Sequence, residues 1–183
     1  TTQEDQAGLD SEGRLVDTAV ADALVAAVKG QPGTIAAYKQ EAKKQNQPLA
    51  FALSDITALA SAKFGYSAED VLNTCQALYE THKLTSYPRT DCAYLPEPQH
   101  ADAPRVPAAI KHVNPELAGL VDGADPRIKS KTWDDSKITA HHGIVPTMQK
   151  GSKAALSERE RNIYDLIVRA YLAQFYPLHE YMQ

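Results

Sequence analysis

Residues 54–87, SDITALASAKFGYSAEDVLNTCQALYETHKLTSY, carry the pattern that decides the fold. Ser54 can cap a first helix, because its hydroxyl can accept a hydrogen bond from a free backbone N–H group. Gly65-Tyr66-Ser67 interrupts that helix, and Ser67 with Asp70 three residues later resembles a capping box that begins a second helix. Apolar residues recur with the helical period in both segments: Ile56, Leu59, Ala60 and Phe64 in the first, and Val71, Leu72, Cys75, Leu78 and Tyr79 in the second.

Two helices joined by a short turn that contains glycine are typical of a helix-turn-helix. Residues 83–87 follow directly and are predicted to be extended, and a helix pair followed by a strand indicates a winged-helix-like unit. A generic helical hairpin accounts for the same pattern equally well.

On the N-terminal side of this unit, residues 14–29 are predicted to form one amphipathic helix that ends at Gly30 and Pro32. Residues 33–44 alternate weakly between apolar and polar side chains and are rich in lysine and glutamate. That pattern predicts an edge strand.

On the C-terminal side the chain becomes proline-rich, so only short helices are expected, at 105–113 and 115–121. Residues 124–150 are predicted to form loops and short strands. The last helix is predicted at 157–175 and is capped by Ser157. These residues follow its helical period: Ile163, Leu166, Ile167, Ala170, Tyr171 and Gln174. The predicted fold class is therefore α+β and mostly helical.

The composition is that of a globular domain, with 183 residues, 43% hydrophobic residues and a formal net charge of −4. Proteins that hold DNA only by neutralising its phosphates are usually basic, so the charge argues against that class. No apolar run is long enough for a transmembrane helix and no signal peptide is recognisable. The chain does not begin with Met, and we expect it to be cut from a longer protein.

Few residues are candidates for metal binding. Two cysteines, Cys75 and Cys92, are too few for a cysteine-rich zinc site, and both are predicted to be free thiols. His141 and His142 are adjacent, and neighbouring side chains on a strand point to opposite faces, so both cannot easily bind one ion. No metal site is therefore predicted in this chain.

The most promising chemistry lies in Ser86-Tyr87-Pro88-Arg89-Thr90-Asp91. If this segment is extended, Tyr87 and Arg89 project on the same side, and Pro88 stiffens the backbone between them. A phenol beside a guanidinium suits phosphoryl transfer, because arginine can bind a phosphate through two donors and stabilise its developing charge. The alternative at this point is that Tyr87 packs at the edge of the core.

Four segments, in this order, resemble the type IA DNA topoisomerases, and in particular the bacterial topoisomerase III branch. They are PLAFALSDITALASAKFGYSAEDVLNTCQALYE (48–80), LYETHKLTSYPRTDCAYLP (78–96), WDDSKITAHHGIVPT (133–147) and LSERERNIYDLIVRAYLAQFYP (156–177). The second resembles the family's active-site segment, and the third resembles its AHxAIxPT motif. The resemblance extends from about residue 9 to residue 177.

The resemblance implies an enzyme that nicks one DNA strand, passes another strand through the gap and reseals it without ATP. Tyr87 would be the nucleophile that forms a 5′-phosphotyrosyl bond, Arg89 would stabilise the scissile phosphate, and His141 would lie beside the active centre. Thr90 and Asp91 would support this site and orient Arg89. Lys137 and, with less support from the motif, His142 would contribute to DNA binding.

The resemblance also implies an incomplete enzyme. The family's magnesium ligands lie on a Toprim domain whose acidic pattern is absent from this sequence, so this chain is expected to bind no Mg²⁺ and to be inactive alone. Residues 1–47 would belong to the arch domain, residues 48–150 would form the winged-helix-like catalytic-tyrosine domain, and residues 151–183 would return into the arch. The expected partners are DNA, preferentially single-stranded, and the remaining domains of the same polypeptide, in a monomeric cytoplasmic protein associated with the bacterial nucleoid.

Two other functions are compatible with part of the pattern. A non-catalytic winged-helix DNA-binding module would need a basic recognition helix, but residues 68–83 hold Glu69, Asp70 and Glu80 against Lys83. A helical interaction module with no nucleic-acid role would leave the Tyr87 segment and residues 133–147 unexplained. The topoisomerase fragment is therefore the preferred interpretation.

Overall fold

This computed structural model describes residues 8–183, which divide into two compact units, the first ending at Glu41 and the second formed by Ala42–Gln183. In the first unit, helix α1 runs over Thr18–Val28. It begins at Asp17, whose carboxylate accepts hydrogen bonds from the N–H groups of Ala19 (2.8 Å) and Val20 (3.3 Å). The helix is thus shorter than the predicted 14–29, because Leu15 and Val16 precede the cap.

The predicted strand at 33–44 is wrong in its position. Strand β1 is Ala42–Gln45, and it pairs antiparallel with β2, His179–Met182, in register from Ala42 opposite Met182 to Gln45 opposite His179. A strand needs a partner for its backbone groups, and the pairing covers only these four residues. Residues 33–41 lie outside the two strands.

The helical hairpin is formed by α2, Leu53–Phe64, and α3, Ala68–Glu80. Helix α2 begins one residue before Ser54, so Ser54 is not its cap; the carboxylate of Asp55 instead accepts the N–H of Ala52 at 3.1 Å. Gly65 ends α2 in the left-handed region at φ 71°. The predicted start of α3 is confirmed, since Ser67 Oγ accepts the N–H of Asp70 at 3.1 Å.

The remaining helices agree with the sequence pattern. Helix α4 is Arg105–Val113, a 3₁₀ turn at Pro115–Leu117 leads into α5, Ala118–Asp122, and α6 is Glu158–Ala173. Ser157 and Glu160 form a reciprocal capping box at the start of α6. Further 3₁₀ turns lie at Glu97–Asp102, Asp135–Lys137 and Lys153–Ala155.

The core of the second unit lies where α6 packs against α2 and α3. It is built from the apolar faces of these helices and from the loops around them: Ile56, Ala60, Val71, Cys75, Leu78, Leu84, Leu95, Ile144, Ile163, Ile167 and Phe175 are among its buried residues. Cys75 is a fully buried residue of this core. Its burial raises the pKa of its thiol to about 12, because the charged thiolate is disfavoured away from water.

The extended segment after α3 is present, but it forms single bridges instead of a ladder. Thr85 bridges to Pro146, and Phe51 bridges to Ile144. In the described part of the second unit the regular sheet is the β1–β2 pair, and neither strand follows the helical hairpin directly. The observed class is therefore mostly helical with a small sheet.

Candidate active site

The segment that carries Tyr87 is held by residues 143–147. The N–H of Ser86 donates to the Val145 carbonyl at 2.8 Å, and the N–H of Thr147 donates to the Leu84 carbonyl at 3.0 Å. The Ser86 hydroxyl completes the pairing, because it accepts the N–H of Val145 at 3.0 Å and donates to the Gly143 carbonyl at 3.2 Å. These hydrogen bonds hold residues 84–86 beside residues 143–147, although the two segments are nearly sixty residues apart in sequence.

The same central segment is tied to the chain on its other side. The N–H of Gly143 donates to the Tyr94 carbonyl at 2.9 Å, and the N–H of Ile144 donates to the Phe51 carbonyl at 2.8 Å. Gly143 lies where its segment passes close to Ala50, and a Cβ atom at Gly143 would come within 3.0 Å of the Ala50 Cβ. Because Gly143 has no side chain, its backbone can pack directly against the neighbouring segment at Ala50.

Tyr87 and His141 are in direct contact. Their ring centroids lie 4.7 Å apart at an interplanar angle of 45°. A second ring, Tyr79 from the last turn of α3, meets Tyr87 at 5.6 Å and 80°, in an edge-on arrangement. Tyr87 is half-buried between these rings and His141 is exposed, so the phenol is part of a small aromatic cluster at the surface.

Thr90 connects the Tyr87 segment to His141. Its side chain is buried, and its hydroxyl donates to the His141 carbonyl at 3.3 Å while accepting the N–H of Cys92 at 3.1 Å. Its own carbonyl accepts the N–H of Leu53, at the start of α2, at 2.9 Å. Thr90 therefore links the Tyr87 segment to the backbone of His141 and to the start of α2.

Arg89 and Asp91 are exposed on either side of Thr90. Both line a groove of about 1070 Å³, whose other wall is formed by α2 and the start of α3. Ser54, Thr57 and Ser61 also line this groove. Among the described residues no hydrogen bond or ion pair joins Asp91 to Arg89, so the guanidinium is available to an external anion.

Lys137 lies farther along the surface. Its Nζ is 4.8 Å from the centroid of the Tyr94 ring and 3.6 Å from the Asp134 carboxylate. The Tyr94 hydroxyl, together with Asp134, raises the pKa of Lys137, so it is charged at neutral pH. The structure shows no contact of Lys137 with the aromatic cluster.

The two neighbouring histidines are separated by the fold. His141 contacts Tyr87, whereas His142 lines a different cavity of about 210 Å³ with Trp133 and Tyr171. One ring nitrogen of His142, Nδ1, hydrogen-bonds to the Gly143 carbonyl at 2.8 Å. Across residues 8–183 no group of three or more His, Cys, Asp or Glu side chains is arranged to hold a metal ion, so the side chains present do not fit a magnesium site.

Comparisons with known proteins identify the family. The model of the bacterial DNA topoisomerase family, described as "DNA topoisomerase", matches residues 1–183. The chain is 44% identical over 174 residues to DNA topoisomerase 3 of Vibrio cholerae, covering 95% of this chain and 27% of that protein. It is 42% identical over 168 residues to DNA topoisomerase 3 of Salmonella typhimurium, covering 92% and 26%.

The chain belongs to the type IA DNA topoisomerase family.

A solved structure, full-length topoisomerase I from Thermotoga maritima, has the same fold over 79% of this chain and 23% of its own length, with a TM-score of 0.54 and 22% identity. The chain thus spans about a quarter of the length of the topoisomerases that it resembles. In the part of the chain that the structure describes, no helix is both long and apolar enough to cross a membrane.

Within this topoisomerase chain, the structure brings together Tyr87, Thr90 and His141, and it places Arg89 and Asp91 at the adjoining groove. Lys137 and His142 stand apart from the aromatic cluster. The sequence reasoning missed the two hydrogen bonds of the Ser86 hydroxyl and the Tyr79 ring contact. The position of Tyr79 near the end of a helix that leads directly into the Tyr87 segment is the signal that could have indicated its proximity.

Proposed function

We propose that this chain is the part of a topoisomerase III-like enzyme that carries the nucleophile, Tyr87. The observation that supports this most directly is the contact between Tyr87 and His141, the central residues of two separate family motifs. A tyrosine that served only in packing would not require an exposed histidine, here His141, in contact with its ring. Nor would it require an unpaired arginine, here Arg89, two residues away. The non-catalytic DNA-binding module gains no support, since the first turn of α3 carries Glu69 and Asp70.

The proposed reaction begins with attack of the Tyr87 phenolic oxygen on a phosphorus atom of the DNA backbone. The bond between phosphorus and the 3′ oxygen breaks, the 3′ oxygen leaves and takes up a proton, and the 5′ phosphate stays bound to Tyr87. The phosphodiester is exchanged for a phosphotyrosyl ester, so the reverse attack by the 3′-hydroxyl can reseal the strand without ATP. Passage of a second strand through the gap before resealing relaxes negative supercoils or separates linked circles.

Arg89 is proposed to bind the scissile phosphate. Its guanidinium is exposed beside the groove and has no protein anion as a partner among the described residues. Two parallel N–H donors can therefore face the phosphate oxygens as charge develops on them. His141 orients the phenol ring through their contact and offers a further polar group beside the reacting phosphate.

The remaining predicted residues have supporting roles in this proposal. Thr90 keeps the Arg89 segment against His141, and Asp91 lines the groove in which the cleaved strand end would lie. Lys137 and His142 would contact DNA beyond the scissile phosphate. The DNA is proposed to be single-stranded, because the exposed His141 ring with scattered cations suits unpaired bases better than a duplex groove.

The rest of the enzyme is proposed to lie in the parts of a longer polypeptide that this chain does not span. Mg²⁺ would be bound by a Toprim domain there, and this chain alone would not relax DNA. Residues 48–150 would form the winged-helix-like catalytic-tyrosine domain between two arch segments, 1–47 and 151–183. The enzyme would act as a cytoplasmic, nucleoid-associated monomer.

The test uses the longer polypeptide that contains this chain, mixed with magnesium and a labelled single-stranded oligonucleotide. After denaturation we expect a protein–DNA adduct whose DNA-bearing peptide contains Tyr87. Tyr87→Phe should give no adduct while binding the oligonucleotide normally. An adduct that forms equally well in Tyr87→Phe would refute the assignment of the nucleophile.

A second comparison tests the proposed division of labour. This chain alone, incubated with the same oligonucleotide and magnesium, should form no adduct. If the isolated chain cleaves DNA as rapidly as the longer polypeptide, the proposal that the metal-binding part is required is wrong.

A further inference from the structure

The ring of the proposed nucleophile, Tyr87, is flanked by two aromatic residues, His141 and Tyr79. His141 is on one side at 4.7 Å, and Tyr79 is on the other at 5.6 Å with the rings nearly perpendicular. Tyr79 lies eight residues before Tyr87, near the start of the active-site segment 78–96 but outside its YPRTD residues. No role is assigned to it by the catalytic proposal above.

We propose that Tyr79 is a positioning residue that holds the Tyr87 ring in the orientation required for attack on the phosphate. This inference rests on the proposed function, because it concerns the same nucleophile. Among the described residues no group hydrogen-bonds to the Tyr87 hydroxyl, so ring contacts are what restrict its side chain. Restricting the ring before DNA binds lowers the entropy cost of reaching the reactive geometry.

Tyr79 is suited to this role because its own position is fixed. It follows Leu78, which is fully buried in the core, on the last turn of α3. The Leu78 carbonyl accepts the N–H of Leu84 at 2.9 Å, and His82 contacts Glu160 of α6 at 3.0 Å. The end of α3 is therefore bound both to the Tyr87 segment and to the core helix.

A sharp turn then returns the chain toward the Tyr79 ring. Lys83 has a positive φ of 57°, a conformation that a non-glycine residue adopts rarely. Its carbonyl accepts a hydrogen bond from the Thr147 hydroxyl at 2.6 Å, and its Nζ lies 5.9 Å from the Tyr79 ring centroid. The turn brings residue 87 back beside residue 79, which an extended continuation of the helix would not do.

The experiment measures single-turnover adduct formation by the longer polypeptide at saturating oligonucleotide, together with the dissociation constant for the same oligonucleotide. We expect Tyr79→Leu to slow adduct formation roughly tenfold, which corresponds to the upper range for an aromatic pair. Its DNA affinity should stay within about twofold of wild type, since the proposal assigns phosphate binding to Arg89 and gives Tyr79 no contact with DNA. Tyr79→Phe keeps the ring and should restore the wild-type rate.

Tyr79→Met, with a flexible side chain of comparable length, repeats the test if Tyr79→Leu folds poorly. Tyr181→Leu is the matched control: Tyr181 is on β2 and stacks on His179 at 5.4 Å, so it should react at the wild-type rate. The proposal is overturned if both aliphatic variants react like wild type, if they lose rate only in proportion to DNA affinity, or if Tyr79→Phe is as slow as they are.

Failure of this inference is distinguishable from failure of the proposed function. If the wild-type protein forms no Tyr87 adduct, the catalytic proposal fails, and the Tyr79 proposal fails with it. If the wild type forms the adduct, Tyr87→Phe does not and Tyr79→Leu reacts at full speed, then only the positioning role is refuted.

Discussion

Gln174 is the polar residue whose removal should affect this fold most. It is fully buried at the C-terminal end of α6 and makes three side-chain hydrogen bonds. The Ser130 hydroxyl donates to its Oε1 at 2.5 Å, and its Nε2 donates to the carbonyls of Pro48 and Ala170 at 2.7 Å each. One amide thus joins α6 to the segment before α2 and to the loop before Trp133.

The expected effect of Gln174→Met follows from these bonds. Methionine has a similar length but cannot donate or accept in their place, so the Ser130 hydroxyl and the Ala170 carbonyl each lose a partner in the buried core. Each buried polar group left unpaired costs about 1–3 kcal/mol. The free energy of unfolding should therefore fall by roughly 3–5 kcal/mol, and the melting temperature by about 10 °C for a chain of this size.

The assay is thermal and urea unfolding of the 183-residue chain, followed by circular dichroism. Gln149→Met is the matched control, because Gln149 is exposed and its side chain makes no hydrogen bond to the described residues. We expect this control to change the free energy of unfolding by less than about 0.5 kcal/mol. Equal destabilisation by the two substitutions would refute the reasoning from the buried network.

Three other predictions concern the site and its frame. Thr90→Val should slow adduct formation by the longer polypeptide and lower its melting temperature, whereas an unchanged rate would show that the Thr90 hydrogen bonds do not support the site. Arg89→Lys should reduce cleavage roughly a hundredfold with little loss of oligonucleotide affinity, because a single ammonium cannot provide two parallel donors. Although burial raises it, hydrogen bonds from Ser157 and His82 hold the pKa of Glu160 below its usual 4.5. A lowered pKa stabilises the fold at pH values above 4.5, and that contribution is lost as the pH falls through the folded value. Unfolding curves of wild type and Glu160→Gln should therefore converge in acid; a constant difference across that range would contradict this.

Features that depend on neighbouring residues could be predicted from the sequence. The Gly65–Ser67 break, the Ser67 cap and the Ser157 cap all involve groups within four residues of one another, and the structure confirms them. Ser54 was the exception. Asp55 can accept the same kind of backbone donor, and the N–H of Leu53 is taken by the Thr90 carbonyl, so the helix begins one residue earlier.

Features that depend on residues distant in sequence could not be predicted from the sequence. The strand predicted within 33–44 formed only at Ala42–Gln45, because its partner, His179–Met182, is near the other end of the chain. Gln174 follows the helical period of the residues in α6. Two of its three hydrogen bonds nevertheless depend on where residues 48 and 130 lie in the folded chain. No local pattern carries that information.

The candidate site combines both kinds of information. The sequence by itself determined which residues are candidates for the proposed DNA cleavage, since Tyr87, Arg89 and His141 lie in segments that resemble the family's motifs. The tertiary structure decided that Tyr87 and His141 are in contact, that His142 is not part of that contact, and that Tyr79 is. The physical reason is that backbone hydrogen bonds between residues 84–86 and 143–147 set these distances, and such bonds form only once the chain has folded around its core.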